Sequence, residues 1–492
     1  MPAPLSATPV IVWFRNDLRL ADNPALHAAA SLGAPILPLY VLEEVPGDPR
    51  PLGGASRWWL RGSLERLGAA CAALGAPLIL RRGDPAAILP ALIGESGAGA
   101  VFWNRRYAPA QTARDAAIKE ALKRDGVEAR SFNANLLAEP WTVQNKSGGP
   151  FKVFTPFWRS LSATLTPPLP LPVPALLPAQ RLPAQATPPA SDPLESWGLS
   201  PTAPDWAGGL RAAWSPGEAA ARDALAAFLD GPVARYATER DRPDQDGTAR
   251  LSPHLAFGEI GPRQIWHAAR HTADAHPDRQ TGVESFLREI GWREFNVHLL
   301  HHAPHLADQP LDERFAAFPW RDDPAGLAAW TRGRTGYPIV DAGMRQLWET
   351  GWMHNRVRMI AASFLVKDLL LPWQTGERWF WDTLVDADLA NNAGGWQWTA
   401  GCGADAAPFF RIFNPVLQGE KFDPEGDYVR RFVPEVRRLP PRWIHKPWDA
   451  PPEILRQAGL RLGESYPRPI IDHALARNRA LALFAEQKGR TL

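Results

Sequence analysis

DADLANNAGGWQW, residues 386–398, sets two acids, two asparagines, a glycine pair and two tryptophans within thirteen positions. The mixture matches neither the helical nor the strand period. Gly394 and Gly395 permit backbone conformations and close approaches that a Cβ blocks. Asp386 and Asp388 stand beside the apolar Leu389-Ala390 step, so at least one is drawn inward and needs a partner. Trp396 and Trp398 alternate, and on extended backbone they face opposite sides. The stretch reads as the wall of a deep cofactor pocket, with one tryptophan facing inward and the other facing substrate.

The chemistry that such a wall needs lies around it, in the second half of the chain. Of the 22 tryptophans, 14 follow residue 210, and of the 12 histidines, 11 follow residue 250. In WMHNRVRM, residues 352–359, helical spacing sets Asn355, Arg358 and Met359 on one side at i, i+3 and i+4. An internal Arg358 calls for a carboxylate, and Asp386 is the natural candidate. Arg356 points elsewhere and is free to reach a phosphate. Glu289 and Trp292 share a helix face with Arg293 beside them. A carboxylate next to an aromatic plane suits a flat hydrogen-bonding ligand such as a pyrimidine, against the alternative of an exposed glutamate beside a core tryptophan. Residues 247–252, GTARLS, offer backbone N–H groups, two hydroxyls and a guanidinium. That set suits a pyrophosphate, although on local sequence a helix cap followed by a turn is the favoured explanation. His298, His301, His302 and His305 have helical spacing, but Pro304 interrupts them and neither acid nor cysteine joins them. They are expected to form a polar helix face, and no metal is expected. Five arginines between Arg332 and Arg358, against Asp341 and Glu349, form a face able to meet phosphates or water.

The first half reads differently. Strands are predicted at Val10–Phe14, Ile36–Leu42, Leu78–Leu80 and Ala100–Trp103. Helices are predicted from Asn23-Pro24, over Arg57–Leu74, over Pro85–Leu92 and over Thr112–Arg124. Strands alternating with helices imply a parallel sheet covered on both faces, with any ligand beyond the carboxyl ends of its strands. No G-x-G-x-x-G follows the first strand, which speaks against a dinucleotide held there in the Rossmann manner. Leu165 to Pro204 is dominated by Pro and Ala and reads as an extended, semi-rigid connector. After Gly217, helical spacing recurs through Glu218–Leu229, Pro262–His271, Val283–His301, Asp341–Glu349, Asn355–Leu371, Glu377–Leu384 and Asp472–Gln487. The expected architecture is an α/β doubly wound parallel-sheet domain over 8–135, a Pro-rich connector over 136–210 and an all-α domain over 211–492.

With 492 residues, 45% of them hydrophobic, the chain has core material for such a plan. A formal net charge of +2 does not by itself announce nucleic acid. Cys71 and Cys402 are too few and too far apart for a disulfide framework, which fits a reducing cytoplasm. No secretory signal and no membrane-spanning run is evident.

Together these stretches resemble the DNA photolyase and cryptochrome family, most nearly its bacterial class I-type members that repair cyclobutane pyrimidine dimers. The resemblance runs from WFRNDLR at residues 13–19 to the C-terminal helices. It is carried by GYPIVD at 336–341, GWMHNR at 351–356, the 386–398 stretch and FRIFNP at 410–415. It implies FAD in the helical domain, with Tyr236, Thr248, Ala249, Arg250, Leu251 and Ser252 around its phosphates and ribityl chain. Ala249 departs from members that have serine there, so one phosphate hydrogen bond is lost or replaced by backbone. Arg358 and Asp386 would pair beside the flavin ring with Asp388 nearby, and Asn392 would face flavin N5. Glu289, Arg293 and Asn355 would also border the cofactor. Glu289, Trp292, Asn355, Met359 and Trp398 match the lesion pocket of dimer photolyases, whereas (6-4) enzymes carry histidines in place of the Asn355 and Met359 types. Trp396, Trp373 and Trp320 match the tryptophan chain that brings electrons to oxidised flavin. Arg240, Arg356 and Arg411 match residues near the lesion phosphates. Trp103 to Pro109 lies where the family places antenna contacts, with methenyltetrahydrofolate the first expectation and a deazaflavin the second. The activity implied is that of a deoxyribodipyrimidine photo-lyase acting as a monomer on UV-damaged DNA. A blue-light cryptochrome and a (6-4) photolyase are the alternatives.

Overall fold

The computed structural model describes residues 8–44, 50–175 and 189–489. Five strands, β1 (Val10–Phe14), β2 (Ile36–Glu43), β3 (Ile79–Gly83), β4 (Ala100–Asn104) and β5 (Glu128–Phe132), form one parallel sheet in the order β3-β2-β1-β4-β5. All of β1 is buried. Its alternation sends Val10, Val12 and Phe14 into one core cluster and Ile11 and Trp13 into another. Because neither face of such a strand meets water, it reads as an unbroken apolar run.

The helices α1 (Pro24–Ala30), α2 (Gly54–Ala73), α3 (Pro85–Ser96) and α4 (Pro109–Arg124) begin at or near their predicted starts. Asn23 and Asp84 cap α1 and α3, accepting from the N–H groups of Leu26 and Ala86. The strand β5 is absent from the sequence reading. It is EARSF at the sheet edge, and only Ala129 is buried, so no apolar run marks it.

The connector is docked where it is described. Phe154–Thr164 is a helix whose Phe154, Phe157 and Leu161 join a cluster with Phe295 and Leu299. The Asp192 N–H donates to the Leu80 carbonyl, the Leu80 N–H donates to Ser191 Oγ, and Trp197 is buried beside Tyr40. Proline content hides this, because a few aromatic side chains bury enough area to anchor an otherwise extended segment. Residues 176–188 of the expected connector lie outside the described residues.

Residues 386–398 are more regular than their composition predicts. They enter a regular helix, Leu389–Ala400, capped by Asp388, whose side chain accepts from the Asn391 N–H at 2.9 Å. Ala390, Ala393, Trp396 and Ala400 bury one face at helical spacing. The glycine pair masks that period. At Gly394 a Cβ would lie 2.6 Å from Asn296 Oδ1 on the facing Gln280–His302 helix, while at Gly395 it would meet nothing within 4 Å. Trp396 and Trp398 diverge all the same, since two residues on a helix lie about 200° apart. The helix expected over 355–371 ends at Ser363 and continues as a π turn, Phe364–Asp368, that buries Lys367 and Asp368.

His302 and His305 are exposed and His301 is half-buried, as a polar face requires, but His298 departs from it. His298 is 1% exposed; its Nδ1 donates to the Pro140 carbonyl and its Nε2 accepts from the Phe151 N–H. Burial holds it down at about 4, so it is neutral and clasps the 140–151 segment.

The two domains join along Arg15–Arg19. Fully buried Arg19 donates to the carbonyls of Ala134 and Gly258, and the Leu18 N–H donates to the Phe257 carbonyl. Gly258 has φ 66° and packs so tightly on the Asn16 backbone that no Cβ fits.

Candidate active site

The Gln280–His302, Asn355–Ser363 and Leu389–Ala400 helices, with the segment from Tyr236 to Ala256, enclose a cavity of about 660 Å³. It gathers nearly every predicted site residue. Asn355, Arg358 and Met359 line it together, as their spacing requires. Arg358 Nη2 donates to Asp386 Oδ2 at 2.7 Å, and its Nε donates to the Met353 carbonyl at 2.7 Å. The Asp386 side chain is 3% exposed, and its Oδ1 has no hydrogen-bond partner among the described residues. Asp388 and Asn392 line the same wall.

Tyr236, Thr248, Ala249, Arg250, Leu251 and Ser252 form another side. Arg250 has φ 49°, an uncommon conformation for a side chain of its size, and its guanidinium lies over the Trp214 and Trp352 rings at 4.4 and 5.1 Å. Its Nε is buried without a partner among the described residues. Ser252 Oγ accepts from Trp352 Nε1 at 3.3 Å. Ala249 brings no side-chain donor.

Glu289, Trp292, Arg293 and Trp398 complete the enclosure. Trp292 stacks on Phe154 at 3.8 Å and 9°, and Arg293 donates to the Asn135 carbonyl at 2.6 Å. Glu289 is ion-paired with Arg240, so it is neither a solvated surface acid nor alone. Arg356 pairs with Asp241 at 2.7 Å. Arg240, Arg356 and Arg411 all reach the cavity, and a second pocket of about 380 Å³ is shared by Arg242, Arg356, Arg411 and Lys421. This cationic surface suits a polyanion.

Trp373 and Trp320 do not line the cavity. Trp396 does, and all three belong to or pack against one hydrophobic cluster, Trp396 and Trp373 buried and Trp320 half-buried. Glu377, Arg50, Asn296 and Asn391 are further residues at the site that are not predicted from the sequence. Asn392 Nδ2 donates to Glu377 Oε1 at 2.8 Å, Arg50 pairs with Glu377, and Asn296 Nδ2 donates to Asn391 Oδ1 at 2.9 Å. Asn296 was within reach of the helical period, seven residues after Glu289. Arg50 carried no local signal.

Trp103 to Tyr107 are engaged within the protein. Asn104 donates to Asp17 and Asn23, Arg105 and Tyr107 bind Glu139, and Arg106 pairs with Glu43 at 2.8 Å. At the carboxyl ends of β1 and β4, where strand order reverses and parallel sheets hold ligands, Arg15 donates to both Asp115 oxygens at 2.9 and 2.8 Å. Arg15, Arg106 and Arg114 form an ion network there with Glu43 and Asp115.

Residues 10–175 match the family model for DNA photolyase, and residues 286–486 match that for the FAD binding domain of DNA photolyase. The chain is 53% identical over 491 residues to a deoxyribodipyrimidine photo-lyase of Agrobacterium fabrum, covering 99% of this chain and 100% of the relative. It is 44% identical to cryptochrome-1 of Arabidopsis thaliana, over 95% of this chain and 69% of that one. The crystal structure of a class III photolyase from Agrobacterium tumefaciens superposes with a TM-score of 0.94 at 52% identity, over 99% of each chain. The motifs by themselves point to the class I type; this neighbour is of class III. By two family models, full-length identity and a shared architecture, the chain belongs to the DNA photolyase and cryptochrome family.

Proposed function

We propose that the chain is a light-driven repair enzyme for cyclobutane pyrimidine dimers in DNA, with FAD in the inner part of the cavity. The observation that carries this reading is the single cavity that joins Glu289, Trp292, Asn355, Met359 and Trp398 to Arg358, Asp386 and Asn392. The residues fit FAD. Asp386 Oδ1 and Arg250 Nε are buried polar atoms without a partner among the described residues, an acceptor and a cationic donor for a ring with N–H groups and for a phosphate. Thr248, Arg250 and Ser252 would hold the phosphates, Arg358 and Asp386 the ring edge, and Asn392 the N5 side.

When bound and reduced, FAD supplies on excitation the electron that opens the two intradimer bonds, and recovers it afterwards. The side chains do the rest. Arg240, Arg356 and Arg411 neutralise phosphates and make binding salt-sensitive. A stacked base is unreachable, so the dimer is flipped out of the duplex, the general solution known for photolyases. Trp292 and Trp398 offer apolar planes to it, Met359 a polarizable contact, and Glu289 and Asn355 hydrogen bonds to the pyrimidine edges. Trp320, Trp373 and Trp396, which share one hydrophobic cluster, would provide the route by which electrons reach oxidised FAD.

Within the family the chain sits best beside its class III relative. An antenna chromophore, methenyltetrahydrofolate before a deazaflavin, belongs to the proposal; the ion network around Arg15 argues against the β1/β4 crevice as its seat. Two buried, unpaired thiols accord with a cytoplasmic enzyme, which we take to act as a monomer. No helix among the described residues is long and apolar enough to cross a membrane.

The test is a repair assay. Anaerobically reduced protein is mixed with an oligonucleotide bearing one thymine cyclobutane dimer and exposed to near-UV or blue light, beside a dark control. Light-dependent recovery of intact thymines is expected. Absence of repair at full FAD occupancy would overturn the reading, and repair of a (6-4) lesion or of neither would then choose between the other family activities. Trp373→Phe should slow photoreduction of oxidised FAD on the order of ten-fold, about 1.4 kcal/mol of barrier, while sparing repair by pre-reduced enzyme. Unchanged photoreduction removes Trp373 from the relay.

A further inference from the structure

Asn392 is oriented from the other domain. Its Nδ2 lies 3.0 Å from the Glu377 carbonyl oxygen and 2.8 Å from Glu377 Oε1. A backbone carbonyl only accepts, so the atom facing it is the amide NH2. That leaves Oδ1 as the acceptor Asn392 offers to the cavity it lines.

Glu377 is itself held. Its side chain is 0% exposed, and Arg50 Nη1 reaches both carboxylate oxygens, at 2.7 and 2.6 Å. Arg50 Nη2 bonds the Ala307 carbonyl at 3.0 Å and Asp308 Oδ1 at 2.7 Å. Arg50 precedes α2, and the same segment is latched to the Trp373–Thr383 helix. Trp381 Nε1 donates to the Pro51 carbonyl, and the Gly54 N–H donates to Asp382 Oδ1, each at 2.8 Å. The guanidinium therefore stands on a fixed base.

We propose that Arg50 is a positioning residue for the cofactor: through Glu377 it fixes the Asn392 amide with its oxygen toward the flavin, so the N-terminal domain sets which hydrogen bond the ring receives. This rests on the reading that FAD occupies the cavity beside Asn392. The logic is one of donors and acceptors. The Glu377 carboxyl group, paired with Arg50, accepts from the NH2 of Asn392 and together with the Glu377 carbonyl pins it. A neutral or displaced group at Glu377 leaves the backbone carbonyl as the remaining acceptor for that NH2, so the amide is held less firmly and turns over more readily to present its NH2 to the cavity. An oxygen there favours a flavin protonated at the facing nitrogen, the reduced form; an NH2 favours the unprotonated, oxidised form. Burial pushes the Glu377 carboxyl up, and the Arg50 guanidinium opposes that rise.

The experiment uses the full chain with its FAD and reads the flavin midpoint potential and the rate of reoxidation by air in the dark. Arg50→Met and Glu377→Gln are each expected to lower the potential and to quicken reoxidation about ten-fold, the size of one lost charge-assisted hydrogen bond. Arg50→Lys, which keeps the charge but not the fork, should recover part of the shift. Should Arg50→Met fail to fold, Glu377→Gln, of equal volume, decides alone. Asn392→Ala separates the two layers. If it shifts the potential while Arg50→Met and Glu377→Gln do not, the coupling is wrong and the cavity reading stands. If Asn392→Ala leaves the potential unmoved, or the purified chain takes up no FAD, the cavity reading itself falls and the coupling with it.

Discussion

Replacing Asp386 with alanine should weaken FAD binding about 100-fold, the equivalent of roughly 3 kcal/mol. Asp386 Oδ2 is the carboxylate partner of Arg358 at 2.7 Å, and the acid is almost wholly buried while the guanidinium is about one quarter exposed. Losing one member of such a pair leaves the other charge uncompensated, which costs more than the pair itself contributes. Asp386 Oδ1 is also a buried acceptor with no hydrogen-bond partner among the described residues, so on the proposed placement of FAD the substitution removes a ligand contact as well as a structural one. The measurement is the FAD-to-protein ratio after dialysis, with affinity taken from flavin fluorescence on reconstitution. Asp386→Asn should fall between, because it keeps an oxygen for Arg358 but no charge. Pairing Asp386→Ala with Arg358→Met should recover folding stability but not binding, since the lone cation is gone and the ring contacts are not restored. Undiminished FAD content in Asp386→Ala would move the flavin away from this wall.

The second large effect is on stability and depends on pH. Glu294 is buried at the seam between the domains, where its Oε2 accepts from the N–H groups of Leu137 and Ala138 at 3.0 and 3.3 Å. Its Oε1 has no hydrogen-bond partner among the described residues, and Arg293 Nη1 stands 3.7 Å away. Burial raises this carboxyl from its ordinary 4.5 to about 7. The native state then binds the proton more tightly than the unfolded chain. Stability is therefore lost as pH rises from about 4.5 to about 7 and is level on either side. The loss at pH 8 is at most about 3 kcal/mol. Glu294→Gln keeps an acceptor for the two N–H groups and removes the charge. It should match the parent near pH 4.5 and exceed it by up to about 3 kcal/mol at pH 8 in urea unfolding. A difference between the two proteins that stays the same at both pH values would show that Glu294 is not a buried charge in the native state.

What the sequence alone determined is whatever repeats within one element. VIVWF announces a strand buried on both faces, because nothing polar interrupts it. Glu289 with Trp292, and Asn355 with Arg358 and Met359, share faces because helical spacing leaves no other choice. Even the pairing of Arg358 with Asp386 was legible, since an inward arginine needs a carboxylate and an acid stood nearby in the most unusual stretch. Where local composition misleads, the period is lost. Gly394 and Gly395 disguised the Leu389–Ala400 helix, and β5 at the sheet edge shows almost no apolar face. What only the tertiary structure decided is which groups meet across elements. Arg50 finds Glu377 across 327 positions, and Arg240 finds Glu289 where the sequence offered the glutamate only a tryptophan. A periodic pattern tells a side chain which way to face, but a charge is satisfied by whichever opposite charge the packing of those faces brings within reach, and that is a property of the assembled core.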